Sequence, residues 1–124
     1  MSKKILAIDD NPDVTSVVEE FLTKKGFEVA TANSGKDGLN QATRAIPDLI
    51  LLDITMPHMD GFAVLEKLKQ SPKTMSIPVI MLTAKSDDES KRRASGQYCQ
   101  SYFTKPFDMA ELEAKVKEVL NIAA

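Results

Sequence analysis

A chain of 124 residues with 43% hydrophobic and 27% charged positions has the size and balance of one globular domain. Its net charge of -2 gives no electrostatic footprint for nucleic acid or an anionic membrane, and no apolar run approaches membrane-spanning length. The single cysteine, Cys99, excludes an internal disulfide and points to a reducing, cytoplasmic setting, while the apolar stretch after Lys3-Lys4 is too short for a signal peptide.

Lys4 to Asp9 predicts a first strand that ends in two acids, Asp9-Asp10. Asn11-Pro12 then supplies an N-cap and a first helical position, with Val14, Val17, Val18, Phe21 and Leu22 expected on one helical face. Lys24-Lys25-Gly26 marks the stop. Phe27 to Ala32 predicts a second strand, interrupted by Glu28 and Thr31 and so suited to a sheet edge. Ser34 with Asp37 resembles a capping box for a helix carrying Leu39, Ala42 and Ile46 inward, and Pro47 ends it.

Leu49-Ile50-Leu51-Leu52-Asp53 is an unbroken apolar run closed by a carboxylate, the pattern of a central parallel strand buried on both faces. Asp60-Gly61 opens a third helix with Phe62, Leu65 and Leu68 buried. Ile77 to Leu82 is another continuous strand, ending in Thr83-Ala84. Asp88 to Arg93, within a helix expected between Asp87 and Gln97, has almost no apolar face and should be the loosest element. Ser101 to Thr104 predicts a short fifth strand ending at Lys105-Pro106, and Asp108 with Glu111 starts the last helix, striped by Leu112, Val116, Val119 and Leu120.

Strand and helix alternate five times, which implies an α/β, doubly wound (βα)5 domain over residues 1–124 with a parallel five-stranded sheet. Ranking the strands by apolarity gives the flavodoxin-like order 2-1-3-4-5. The C-terminal strand ends then gather Asp9, Asp10, Asp53, Thr83 and Lys105 on one edge, where open α/β sheets bind ligands. Asp53 alone could simply end a strand; the convergence gives it weight. Carboxylates this close either take up protons or bind a cation, and all-oxygen ligands suit Mg²⁺. No His or Cys spacing favours zinc. A metal beside a carboxylate, with a lysine and a hydroxyl converging on it, is suited to phosphoryl transfer, with Asp53 as covalent acceptor.

The motifs Asp9-Asp10, Asp53-Ile54-Thr55-Met56-Pro57-His58-Met59-Asp60-Gly61, Thr83-Ala84 and Lys105-Pro106-Phe107 resemble those of the receiver domain of two-component response regulators, and the brevity of the chain resembles the stand-alone, chemotaxis-type members. The resemblance implies that Asp53 accepts a phosphoryl group from a phosphohistidine on a sensor histidine kinase or histidine phosphotransfer protein. It implies that Asp10, Asp53 and the backbone carbonyl of Thr55 bind Mg²⁺, with Asp9 helping. It also implies that Lys105 pairs with the phosphoryl oxygens, next to a cis Lys105-Pro106 bond. Thr83 and Tyr102 match the switch pair, which biases an output face of the helix after Thr83-Ala84, the fifth strand and the last helix. Thr55 and Lys85 match positions that tune hydrolysis of the acyl phosphate. Chemistry is then limited to self-phosphorylation and slow autodephosphorylation, so the chain is a switch regulating a protein partner rather than an enzyme. Tyr98-Cys99-Gln100-Ser101 departs from the usual Gly-Ala and acid; a left-handed turn at Tyr98 would be costly and would bear on the output face.

Competing readings are separable. A phosphorelay carrier would pass the phosphoryl group to a second histidine protein. A haloacid-dehalogenase-type phosphatase would need an acid two residues after the nucleophile, where Thr55 stands. A receiver-like scaffold without phosphorylation would be expected to lack a site residue, and none is missing. His58 reads as a solvated loop residue, Lys91-Arg92-Arg93 as a solvated helix face, and Cys99 as a small packing residue.

Overall fold

Five strands, β1 (Lys4–Ile8), β2 (Glu28–Ala32), β3 (Leu49–Asp53), β4 (Val79–Ala84) and β5 (Ser101–Lys105), form one parallel sheet in the order β2-β1-β3-β4-β5. The computed structural model describes residues 3–54, 56, 58–84, 101–105 and 108–122, with Thr83, Ala84 and residues 101–105 described by their backbone. Four helices lie among them: α1 (Pro12–Lys24), α2 (Gly35–Ala45), α3 (Gly61–Gln70) and α4 (Met109–Val119). The helix expected between Asp87 and Gln97 falls outside the described residues, as do Lys85 and Tyr98-Cys99-Gln100.

Each helix starts where a short polar side chain can satisfy an orphan amide. The Asn11 side chain accepts from the Asp13 amide at 2.9 Å, Ser34 Oγ from Asp37 at 3.1 Å, Asp60 from Ala63 at 2.9 Å, and Asp108 from Ala110 at 2.7 Å. Every one of these caps follows a strand or loop ending at the same side of the sheet. The caps therefore also fix how the chain leaves that edge.

Side-chain alternation divides the core into two layers. Leu6, Ile8, Ile50, Leu52, Val79 and Met81 face α2 and α3 with Phe62, Leu65 and Leu68. On the other face Ile5, Ala7, Leu49, Leu51, Ile80 and Leu82 meet Val18 and Leu22 of α1 and Leu112 and Val116 of α4. β3 is buried at every residue, as its unbroken apolar run requires, and β2 is the half-exposed edge. There the Gln41 side-chain amide donates to the Thr31 carbonyl at 2.8 Å.

Two apolar residues expected inward are not. Val17 is 53% exposed, because the buried stripe of α1 is rotated onto Thr15, Val18 and Leu22. Thr15 tolerates that place because its hydroxyl donates to the Pro12 carbonyl at 3.1 Å. Ile46 is 43% exposed because it is the C-cap of α2 in the left-handed region (φ 45°), which turns its side chain off the helix face. A β-branched residue there is strained by roughly 1–2 kcal/mol. Ile46→Gly is therefore expected to stabilise the fold by about 0.5–1 kcal/mol. Urea unfolding measures this, and a lowered midpoint would mean that the partly buried side chain outweighs the strain.

Candidate functional site

The site begins with register. Ile8 pairs with Leu52 across β1 and β3, so Asp9 and Asp53 come one residue later on neighbouring strands. The Asp9 amide donates to the Ala32 carbonyl at 3.0 Å and the Ile54 amide to the Leu82 carbonyl at 2.9 Å, which carries the ladder past both acids. One ligand oxygen from each of Asp9, Asp10 and Asp53 lies within 4.8 Å of the others. Asp9 is 2% and Asp53 4% exposed, while Asp10 is exposed.

Three carboxylates so close, two of them buried, repel one another in a medium that screens poorly. A hard divalent cation relieves that repulsion, and the donor set is all oxygen with one open, wet side at Asp10. That combination fits Mg²⁺, which takes a few carboxylates and keeps water in its remaining positions. Among the described residues this is the one acidic grouping close enough to hold an ion.

The other predicted residues are placed by backbone. Thr83 pairs with Thr104 and Ala84 with Lys105, so both Thr83 and Lys105 stand beyond the Asp53–Leu82 level at the same edge of the sheet. Tyr102 pairs with Met81, deeper in the strand. Thr55 and Lys85 lie outside the described residues, and so does Pro106, so the Lys105-Pro106 bond is not described. His58 is exposed, as expected of a loop residue, in the left-handed region at φ 68°.

The structure adds one contributor that the sequence does not show, Asn33, and a packing role for Gly61. In the sequence Gly61 closes the Asp53-to-Gly61 motif and opens α3. Its amide donates to the Ile54 carbonyl at 2.8 Å, and a Cβ there would meet the Asp53 carbonyl oxygen and, at 2.8 Å, the Ile54 Cα. Asn33, beside the capping Ser34, donates from Nδ2 to the Asp9 carbonyl at 2.8 Å and to Thr15 Oγ1 at 3.1 Å. Nothing in the residue pattern marks either contact: Asn33 meets a strand end 24 residues away, and the fit at Gly61 depends on how the β3–α3 connection folds back onto Asp53 and Ile54.

The response regulator receiver domain family matches residues 5–117. The chain is 37% identical over 121 residues to the alkaline phosphatase synthesis transcriptional regulatory protein PhoP of Bacillus subtilis, covering 98% of this chain and 50% of that protein. To the response regulator PleD of Caulobacter vibrioides it is 40% identical over 119 residues, covering 96% of this chain and 26% of that protein. The chain thus spans half or less of the length of these curated relatives. Among solved structures, a putative response regulator from Chloroflexus aurantiacus superposes with a TM-score of 0.92 at 32% identity, over 98% of this chain and 99% of that one. The chemotaxis protein CheY4 of Vibrio cholerae gives 0.89 at 29% identity, over 96% and 99%. With the sheet order, the acid triad and a family match over nearly its whole length all in agreement, this chain belongs to the response regulator receiver domain family.

Proposed function

We propose that the domain is a phosphorylation-dependent signalling switch in which Asp53 is the acceptor and Asp9 and Asp10 complete a Mg²⁺ site beside it. The observation that carries this is the gathering of the three carboxylates at the C-terminal edge of the sheet, with Asp53 at the end of β3, a strand buried at every residue. An Asp53 carboxylate oxygen attacks phosphorus, and the bond from phosphorus to the donor's nitrogen breaks with its electron pair kept by that nitrogen. An acyl phosphate forms while the donor ring, already protonated on its other nitrogen, leaves as neutral imidazole. Bound Mg²⁺ supplies positive charge toward which the phosphoryl oxygens and the acceptor can align. Lys105 contributes a second cation to those oxygens, and Thr83 a hydroxyl that moves toward them, with Tyr102 following. The Thr55 carbonyl completes the ligand set, and Thr55 and Lys85 side chains set how readily water reaches the acyl phosphate.

The donor is a sensor histidine kinase or a histidine phosphotransfer protein. The output is a protein docking at the face that includes β5 and α4; the net charge of -2 supports a protein rather than nucleic acid as partner of the domain itself. Intact mass after incubation with acetyl phosphate tests the reading. With Mg²⁺ the mass rises by one phosphoryl group, and with a chelator labelling falls to background. Labelling that survives chelation would remove the metal from the reaction, and no labelling under either condition would remove the acceptor.

A further inference from the structure

Asp10 is the exposed member of the acid triad and sits where β1 has already ended. Its carboxylate can converge on the two buried ones only if the peptide joining it to Asp9 is held. The Asp9 side of that peptide is fixed at its amide, which donates to Ala32, and at its side chain, which accepts from the Asn11 amide at 3.0 Å. The remaining handle is the Asp9 carbonyl, which belongs to the same peptide plane as the Asp10 amide. Asn33 Nδ2 donates to it at 2.8 Å.

The same nitrogen donates to Thr15 Oγ1, whose own proton goes to the Pro12 carbonyl. A carbonyl can only accept, so the amide orientation of Asn33 is set by its partner at Asp9. One side chain from the β2–α2 connection thereby ties the 9–10 peptide to α1. We infer that Asn33 is a positioning residue for the cation site, holding the Asp9–Asp10 peptide plane so that Asp10 is aimed at Asp9 and Asp53. Asn33 touches neither cation nor phosphoryl group in this role; it acts through Asp10. The inference rests on the proposed Mg²⁺ site.

Partners that orient metal ligands typically change affinity 10–100-fold when removed. Asn33→Leu keeps the approximate volume and loses the donor. It is expected to raise the Mg²⁺ dissociation constant about tenfold by calorimetry, and to leave acetyl phosphate labelling close to wild type once Mg²⁺ is saturating. Thr15→Val removes the hydrogen bond from Asn33 Nδ2 and the one that Thr15 donates to Pro12, and keeps the Asn33 bond to Asp9. It is expected to lower the melting temperature without metal at least as much as Asn33→Leu does, with a smaller change in Mg²⁺ affinity. Asn33→Ala adds no bulk and reads the same effect should the leucine variant not fold. Wild-type Mg²⁺ affinity in the Asn33 variants would overturn the inference, as would equal affinity losses in the Asn33 and Thr15 variants at matched stability. Asp10→Asn separates the underlying reading: wild-type Mg²⁺ affinity in that variant would overturn the site itself, and this inference with it.

Discussion

Asp53→Asn is expected to abolish phosphoryl labelling by acetyl phosphate with Mg²⁺ present, leaving the intact mass unshifted. The two side chains are nearly the same size, so the buried end of β3 keeps its packing, but an amide is a far weaker nucleophile than a carboxylate and forms no acyl phosphate. The substitution also removes one negative charge from a crowded group. Melting temperature without metal should therefore stay level or rise, while Mg²⁺ affinity falls. This pairing distinguishes a lost acceptor from a damaged fold. A labelled Asp53→Asn protein would assign the phosphoryl group to another residue.

Gly61→Ala should be the most damaging single methyl added near the site. The new Cβ would press on the Asp53–Ile54 backbone, and that backbone cannot yield freely because β3 is paired on both sides and the Ile54 amide is bonded to Leu82. Overpacking of this kind costs roughly 1–3 kcal/mol. Relief by displacement would move the acceptor itself, so labelling at saturating Mg²⁺ should slow along with the loss of stability. Urea unfolding and the labelling rate measure the two effects. Wild-type values for both would show that the β3–α3 turn opens more easily than its contacts imply.

The order of the strands was legible because burial differs among them: Leu49 to Asp53 had to be central, and the mixed Phe27 to Ala32 stretch had to be an edge. The helix starts were legible for a local reason, since a cap needs only one polar side chain and the next amides. Parallel pairing then brought Asp9 and Asp53 to neighbouring strand ends without further information. Val17 and Ile46 were misplaced because periodicity gives the width of an apolar face but not its rotation, and a cap residue leaves the helical period altogether. The role of Asn33 and the packing at Gly61 were not legible, because the first is defined by a partner 24 residues away and the second by a close backbone approach.

The amide of Gln41 on the Thr31 carbonyl has a bearing on crowding rather than on signalling. A lone outermost strand is a template onto which a stranger's chain can zip, the first event of fibre growth. With one outward carbonyl already occupied from α2, an incoming chain would have to dislodge a side chain before its ladder could run on, which guards that flank against sticking to other copies at high concentration.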